Sequence, residues 1–600
     1  MRVCGIVACR RDRPALDFLI SGLRRLEYRG YDSAGVAVVP DAGGLPWVHR
    51  AVGRTADLVA GLDGVADSAA GGIGIGHTRW ATHGEVNERN AHPHRDCTGK
   101  IALVHNGIIE NAERLRRDLA NRGHTFGSDV DTEVVAHLVE EAYREDGDLA
   151  AAIHGAVGRL EGSWALAAVA EGTDRVVVAC HRSPLAVADG PHGSYAASDI
   201  TALLGWADRV HVLGDGDVVE LNGGLRWTDA RGRSLPPPAA IATPWQAADA
   251  EVGAYQDFME KEIAEQPAVA ARLLDTLLPD VRSGVLLDRL GVPAFERVRF
   301  VACGTSMHAA AVTARVVRVV AGLPTELVIA SEHEEQQVPE RGMLTVAFSQ
   351  SGETADVLAA LRSSSGPVLA VVNAPHSSLA RSADAVLDCM AGPEIGVAAT
   401  KTFTNQVLAG VAFALAGARR AGRLHHDALE SLLALLSGTP RRLEQANLAA
   451  APVAEVVSAL LGDAPGFLFV SRGSGLPYAA EGALKLKEIT YRWAESCPAG
   501  ELKHGPIALI ERSTPVVVVD GGTPTKLEAS LAEIQARGGR LVRVGRDPRA
   551  TFPLPGLRNE APWGPLESVV ALQHLARSLA VRLGRDVDKP RNLAKSVTVE

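Results

Sequence analysis

Two patterns of apolar and polar positions divide the chain at the run Leu235-Pro236-Pro237-Pro238-Ala239-Ala240 and its surroundings. Before it, short apolar runs of β character (Ile101 to Val104, Trp164 to Val169, Arg175 to Ala179) alternate with turn residues, and helical spacing is present at Ala15–Leu26 and Asp131–Tyr143. Strands and helices mix there without regular alternation, which predicts a layered α+β domain. The three prolines interrupt secondary structure and predict a stiff, extended connection. Beyond about residue 290 the pattern becomes apolar strand, Gly/Ser turn, helix, the sign of a parallel sheet with crossover helices. It occurs twice. Val298 to Ser306 is echoed by Gly466 to Ser474, and the strand Leu344 to Phe348 by Pro515 to Val519. Two tandem copies of one α/β domain are expected, joined by the largely helical stretch Arg419 to Leu461.

At 600 residues the chain exceeds one hydrophobic core, and a prior of roughly three to five domains applies. The formal charge of −10 and the absence of a Lys/Arg run disfavour nucleic acid as a partner. The seven cysteines (4, 9, 97, 180, 303, 389 and 497) show no Cys-x-x-Cys pair and no metal-ligand spacing, so no metal and a reducing cytoplasm are expected. The apolar run Cys4 to Cys9 is followed at once by Arg10 and Arg11 and is too short for a signal sequence. No later segment reaches the roughly 18 apolar residues of a spanning helix, so neither secretion nor membrane insertion is expected.

Amide hydrolysis by a thiol needs a nucleophile, donors for the oxyanion and groups for the charged ends of glutamine. Candidates exist for each. Cys4 is the nucleophile. The Asn106 side chain and the Gly107 N–H can form the oxyanion hole. Arg79 can pair with the α-carboxylate and Asp131 with the α-ammonium. His92 and His94 lack a nearby third ligand and read as loop or structural histidines. A thiol at a chain terminus can use the terminal amine as base, but Met1-Arg2-Val3 precede Cys4 here. Active protein is therefore expected to begin at Cys4, after removal of a short leader or initiation at the codon shown as Val3.

In the second half, Ser349-Gln350-Ser351-Gly352-Glu353-Thr354 follows an apolar strand and opens a helix, where hydroxyls and N–H groups suit a phosphate; simple helix capping is an equal reading of this segment alone. Glu481, Lys485 and Glu488 share one helix face, either as an ordinary ion pair or as acid/base groups, and His504 follows in Glu501-Leu502-Lys503-His504-Gly505-Pro506. The turns at Gly304 and Gly473 lack the third glycine of a dinucleotide fingerprint and a Walker lysine, which disfavours NAD and ATP.

Cys4-Gly5-Ile6-Val7, Leu26 to Gly35, His77-Thr78-Arg79-Trp80-Ala81-Thr82-His83-Gly84 and His105-Asn106-Gly107 resemble the glutamine–fructose-6-phosphate aminotransferase family, and the likeness continues to the last residue. It implies a layered α/β/β/α N-terminal-nucleophile amidotransferase domain (4–223), a linker (224–287), two tandem α/β parallel-sheet sugar isomerase domains (288–424 and 453–590) and a catalytic tail (591–600). The same likeness implies Trp80 as an ammonia gate, Arg29-Gly30 as a support beside Cys4, and Thr82 and His83 as further binding residues. In the sugar domains it implies a phosphate grip at Ser349, Gln350, Ser351 and Thr354 with Ser306 beside it, and contacts at Val397 and Ala594. Lys595 would form a Schiff base, Glu488 would move a proton with help from Lys485, and His504 from the neighbouring subunit of a homodimer would open the sugar ring. Glutamine and fructose 6-phosphate would be the substrates, glucosamine 6-phosphate the product at the first step of amino-sugar synthesis, with no cofactor. One departure is Ala399, where the family commonly has serine. It is the one hint of another ketose phosphate; a non-catalytic sugar-phosphate sensor is the other alternative, and the retained Glu488, His504 and Lys595 argue against it.

Overall fold

The computed structural model describes residues 4–62, 70–81, 84–243, 245–336, 341–521, 524–547, 550–554 and 561–596. The chain forms two compact units, Met1–Glu251 with Ala594–Glu600, and Val252–Leu593. No helix among the described residues is long and apolar enough to cross a membrane.

The first unit holds two antiparallel sheets. The strand Gly5–Arg11 lies centrally in one, between Gly193–Ala197 and Ile73–Arg79; Ile101–Ile109 pairs with Gly162–Ala170 in the other. Alternation along Gly5–Arg11 sends Ile6 and Ala8 toward the second sheet, where they meet Val104, Ala165 and Ala167. Val7 and Cys9 face the other way and pack on Phe18, Leu19 and Leu23 of the helix Ala15–Leu26. On the far side, Leu103 and Leu166 pack against Val134, Val135 and Leu138 of the helix Thr132–Asp146. The result is the expected helix, sheet, sheet, helix layering.

The second unit contains two five-stranded parallel sheets. In the first, Arg297–Ala302 is flanked by Thr325–Ile329 and Met343–Ser349, with Val368–Val372 and Ala385–Asp388 beyond. In the second, Gly466–Ser471 is flanked by Trp493–Pro498 and Pro515–Val519, followed by Arg540–Gly545 and Phe552–Pro553. In chain order both sheets run second, first, third, fourth, fifth. The direction of winding reverses between the first and third strands, and such switch points open a crevice at the carboxyl ends of the strands. The helices Lys401–Arg420, His426–Ser437 and Thr439–Leu461 connect the repeats, and Lys401–Arg420 is buried almost throughout: Val407 to Ala418 is apolar on every face, and the polar Lys401, Thr404, Asn405 and Gln406 are hydrogen-bonded.

The segment 224–287 is not simply connecting chain. Leu225–Thr228 is a strand paired with Val218–Leu221, and Phe258–Ser283 is a helix of 26 residues packed on Lys401–Arg420. Pro267 and Pro279 lie inside this helix. Proline is a helix breaker in isolation, and here apolar packing along Met259, Ile263, Ala270, Leu273 and Leu277 overrides it.

Candidate active sites

Cys4 stands immediately before the strand Gly5–Arg11 and is half-buried. Pairing of that strand with Ile73–Arg79 sets Gly5 opposite Thr78, so Arg79 and Trp80 emerge beside the thiol. The Trp80 N–H donates to Cys4 Sγ at 3.3 Å, and the thiol lies 3.7 Å from the Trp80 carbonyl. From the other sheet, Asn106 Nδ2 donates to the Cys4 carbonyl at 2.9 Å. One amide hydrogen is thus committed, and the second remains for an incoming oxygen. Gly107 has a φ of +126°, and a Cβ there would collide with the Ser163 carbonyl, so only glycine fits beside Asn106.

Burial pushes the Cys4 thiol up to about 11; the Trp80 N–H and Arg79 pull it down, while Asp32 and Asp131 push it further up. The thiolate is the reactive form, so this site needs a proton acceptor at neutral pH. Arg79 is buried, which lowers its pKa, and it donates to the Glu85 carbonyl at 3.3 Å. Asp131 directly precedes the helix Thr132–Asp146 and accepts from the Ile109 N–H at 2.9 Å. Cys4, Arg79, Asn106, Gly107 and Asp131 are thus gathered at one end of the sandwich. Trp80 is buried with its ring edge-on to Tyr31 at 5.0 Å. Thr82 and His83, like Met1, Arg2 and Val3, lie outside the described residues.

Arg29 does support this end. It pairs with Asp199 at 2.7 Å, which also accepts from Tyr28 at 2.8 Å, and a Cβ on Gly30 would press on the Arg79–Trp80 backbone. His92 and His94 are buried with His77 and His105. The rings of His77 and His92 stack at 3.9 Å, His77 Nε2 donates to the His105 carbonyl, and His105 Nδ1 meets Thr132 Oγ1 at 2.9 Å. Burial lowers His77 and His94 to about 3, so both stay neutral and serve packing.

The first repeat's switch point lies between the ends of Arg297–Ala302 and Met343–Ser349. Ser349 Oγ accepts from the Gly352 N–H at 3.0 Å and lies 3.0 Å from Thr354 Oγ1; Ser351 Oγ accepts from the Glu353 N–H at 3.1 Å. Thr354 occupies the N-cap position of the helix Ala355–Arg362 but makes no side-chain capping bond. The hydroxyls therefore hold the loop around its own backbone instead of capping the helix. Gly352 has a φ of +67°, and a Cβ there would collide with Ser377 Oγ. Across the crevice, Ser306 Oγ accepts from Gln406 Nε2 at 3.0 Å. The buried Gln350 Oε1 and Gln406 Oε1 make no hydrogen bond.

On the helix Leu476–Thr490 of the second repeat, Glu481, Lys485 and Glu488 do line one face. Lys485 is buried; its ammonium donates to Glu488 Oε2 at 2.6 Å and lies 3.7 Å from Glu481 Oε1. Burial opposes its charge, but Glu488 and Glu481 outweigh it and raise the lysine. Glu481 is likewise lowered despite burial, by Lys485 and by His308, whose Nδ1 lies at 2.7 Å. Thr305 Oγ1 donates to Glu481 at 3.1 Å. Thr305 and His308 come from the helix Gly304–Val316 of the first repeat, so the ionic cluster is anchored to the residues beside Ser306.

Neither Thr305 nor His308 was marked by the sequence, because their partner is supplied by another repeat. Glu262 is likewise far in sequence from its partners, whereas Glu394 serves its own segment. Glu262 accepts from the N–H groups of Ile395 and Gly396 at 2.7 and 2.9 Å, and Glu394 from those of Thr400 and Thr402 at 2.8 and 2.9 Å. Together they clamp the segment that carries Val397 and Ala399. The Val397 N–H donates to the Asp588 carbonyl at 3.0 Å. His504 is exposed at the end of the 3-10 turn Leu502–His504, whose Leu502 is buried. Ala594 and Lys595 belong to the unit of the N-terminal residues, both half-buried.

Comparison with known proteins agrees with both halves. A glutamine amidotransferase domain family matches residues 77–205, and the SIS domain family matches 295–416 and 461–544. Proteins named glutamine–fructose-6-phosphate aminotransferase (isomerizing) are similar over their whole length: 42% identical in Thermus thermophilus, 42% in Mycobacterium tuberculosis and 43% in Streptomyces coelicolor, with 100% of each chain covered. The solved C-terminal domain of glucosamine-fructose-6-phosphate aminotransferase from Francisella tularensis superposes with a TM-score of 0.52 at 32% identity, covering 56% of this chain and 99% of that one. The chain belongs to the isomerizing glutamine–fructose-6-phosphate aminotransferase family.

Proposed function

We propose that this protein hydrolyses glutamine to glutamate in its first unit and uses the ammonia to convert fructose 6-phosphate into glucosamine 6-phosphate in its second. The observation that carries the reading is one chain holding both a thiol beside Asn106, Arg79 and Asp131 and a hydroxyl-lined switch point whose neighbouring repeat buries a lysine between two carboxylates.

Cys4 attacks the side-chain amide while Asn106 and Gly107 receive the oxyanion. Arg79 holds the α-carboxylate and Asp131 the α-ammonium, Trp80 gates the ammonia, and Thr82 and His83 are the further binding residues that the family implies. The raised thiol needs a base, and a free α-amine at Cys4, with a pKa of about 7.7–8.0, supplies it. A chain beginning at Cys4 is expected to hydrolyse glutamine. One retaining Met1-Arg2-Val3 should lose that activity yet still aminate sugar with added ammonia. Equal glutaminase rates in the two chains would refute the role of the amine.

Ser349, Gln350, Ser351 and Thr354 grip the phosphate, with Ser306 on a sugar hydroxyl. The N–H of Val397 is already taken, so its carbonyl is left to meet the sugar; Ala594 is the further sugar contact that the family implies. The partner subunit's His504 opens the ring in a homodimer, an assembly favoured by the exposed apolar side chains of Trp493, Leu460 and Leu509 on the second repeat. Lys595 condenses with the C2 carbonyl with loss of water, ammonia attacks that imine and displaces the lysine, and Glu488, oriented by Lys485, then carries a proton from C1 to C2 of the resulting sugar imine. No organic cofactor is needed, because the imine itself stabilises the carbanion.

The test is incubation with glutamine and fructose 6-phosphate and identification of the product by mass spectrometry. Glucosamine 6-phosphate formed in step with glutamate is expected; turnover of a different ketose phosphate in preference, a reading to which Ala399 points, or no turnover, would overturn it. Borohydride reduction with fructose 6-phosphate should fix the sugar on Lys595. Unchanged labelling of Lys595→Arg would exclude the Schiff base there.

A further inference from the structure

Three segments that are separate in sequence bring four metal-binding atoms together in the first unit. Cys97 lies in the turn between the strands His94–Arg95 and Ile101–Ile109, His124 follows the helix Ala112–Asn121, and His137 and Glu140 stand one turn apart on Thr132–Asp146. Linear spacing conceals the group, since 27 positions separate Cys97 from His124 and 13 separate His124 from His137. In the fold, one ligand atom from each of the four lies within 4.8 Å of all the others.

The separations are those of a coordination tetrahedron. Zinc bonds of about 2.3 Å to sulfur and about 2.0–2.1 Å to nitrogen and oxygen imply edges of about 3.5 Å for S···N and about 3.3 Å for N···N and N···O. Cys97 Sγ lies 3.5 Å from His124 Nδ1 and 3.4 Å from His137 Nδ1. The two Nδ1 atoms are 3.3 Å apart. Glu140 Oε2 lies 3.1 Å from His124 Nδ1 and 3.2 Å from His137 Nδ1. Hydrogen bonds alone do not account for this convergence. A ring nitrogen presents one proton or one lone pair in one direction, and each Nδ1 here faces three heteroatoms at once. A cation at their common focus serves all four.

The surroundings fit the same purpose. His124, His137 and Glu140 are buried while Cys97 is exposed, which leaves an approach from the thiol side. Arg144 binds the other Glu140 oxygen. Carboxylates stand beyond the imidazoles, Glu141 at 3.7 Å from His124 Nε2 and Glu133 at 3.8 Å from His137 Nε2, outside hydrogen-bond reach but on the side where a ring N–H would point once Nδ1 holds a cation. Glu133 is itself fixed by the N–H groups of Gly127 and Ser128, both at 2.7 Å.

We propose that Cys97, His124, His137 and Glu140 form a closed, tetrahedral structural site for a divalent zinc ion. One thiolate and one carboxylate balance the two positive charges, and a mixed S, N, O set of four suits zinc over magnesium or calcium. Four protein ligands leave no open position for chemistry. The ion pins the Cys97 turn and the His124 loop to the helix that Asp131 precedes.

The full-length protein, purified and dialysed with zinc and then against metal-free buffer, is expected to retain about one zinc per chain by elemental mass spectrometry. Cys97→Ser and His137→Gln should retain less than a tenth of that. Cobalt(II) exchanged into the unmodified chain should give intense visible bands of a tetrahedral ion and a near-ultraviolet sulfur-to-cobalt charge-transfer band. That spectrum decides the matter even where a variant fails to fold. Absence of stoichiometric zinc, a weak octahedral cobalt spectrum, or equal retention by folded variants would overturn the site.

Discussion

The two parallel-sheet repeats share one strand order but differ at the point where that order should open a crevice. In the first, the strand Met343–Ser349 ends in serine and threonine hydroxyls wrapped around Gly352, and buried amide oxygens of Gln350 and Gln406 face no partner. In the second, Pro515–Val519 runs into Asp520 and Gly521, and Gly521 lies so close to Gly475 that a Cβ would collide with its backbone nitrogen. Ser471 Oγ donates inward to the Val519 carbonyl at 2.6 Å. The Asp520 carboxylate lies over Gly545 of the next strand and pairs with Arg543. Backbone fills the second switch point. The second repeat instead carries the buried Glu481 and Lys485 and the half-buried Glu488 on its first helix, with Glu481 tied to the first repeat through Thr305 and His308. On the proposed reading, one fold used twice divides its work: anion binding in one copy, proton chemistry in the other.

That division predicts which kinetic constant each repeat controls. The largest effect is expected from Glu488→Gln, which should lower kcat for sugar conversion by about 10²–10⁴-fold, the usual worth of a general acid/base, with KM little changed. Thr354→Val with Ser349→Ala should do the reverse. Loss of hydrogen bonds to a charged group is worth about 1.5–3 kcal/mol, so KM for fructose 6-phosphate should rise roughly 10- to 150-fold at similar kcat. Steady-state kinetics of both variants would break the comparison if the constants moved together. Glycine substitutions sharpen it. Gly352→Ala and Gly521→Ala should each destabilise by about 1–3 kcal/mol through overpacking, seen as a lower unfolding temperature. Only Gly352→Ala should also weaken sugar-phosphate binding. The smallest effect belongs to Ala399→Ser, which adds one neutral hydroxyl in the clamped segment and should lower KM for fructose 6-phosphate by about 2- to 10-fold.

Much of this was legible in the chain because parallel strands covered on both faces read as continuous apolar runs, which marked both copies of the repeat. The amphipathic helix Ala15–Leu26 ends where its apolar spacing ends. The same periodicity argument places Glu481, Lys485 and Glu488 on one face, as observed. What stayed hidden depends on partners brought from afar. His308 next to Glu481, and Glu262 under Ile395 and Gly396, are ordinary residues until the fold supplies the other half of each pair. The helix Phe258–Ser283 was masked by its own prolines, whose local preference loses to packing on Lys401–Arg420. Cys97, His124 and His137 were invisible as a group for the same reason that they are of interest: three segments meet only after folding.

Binding without chemistry separates the two repeats most directly. Isothermal titration with a hexitol 6-phosphate, which carries the phosphate and hydroxyls but no carbonyl, should show affinity reduced at least tenfold in the Ser349→Ala, Thr354→Val chain and unchanged in Glu488→Gln. Equal loss of affinity in both, or loss only in Glu488→Gln, would contradict the assignment of binding to the first repeat and proton transfer to the second.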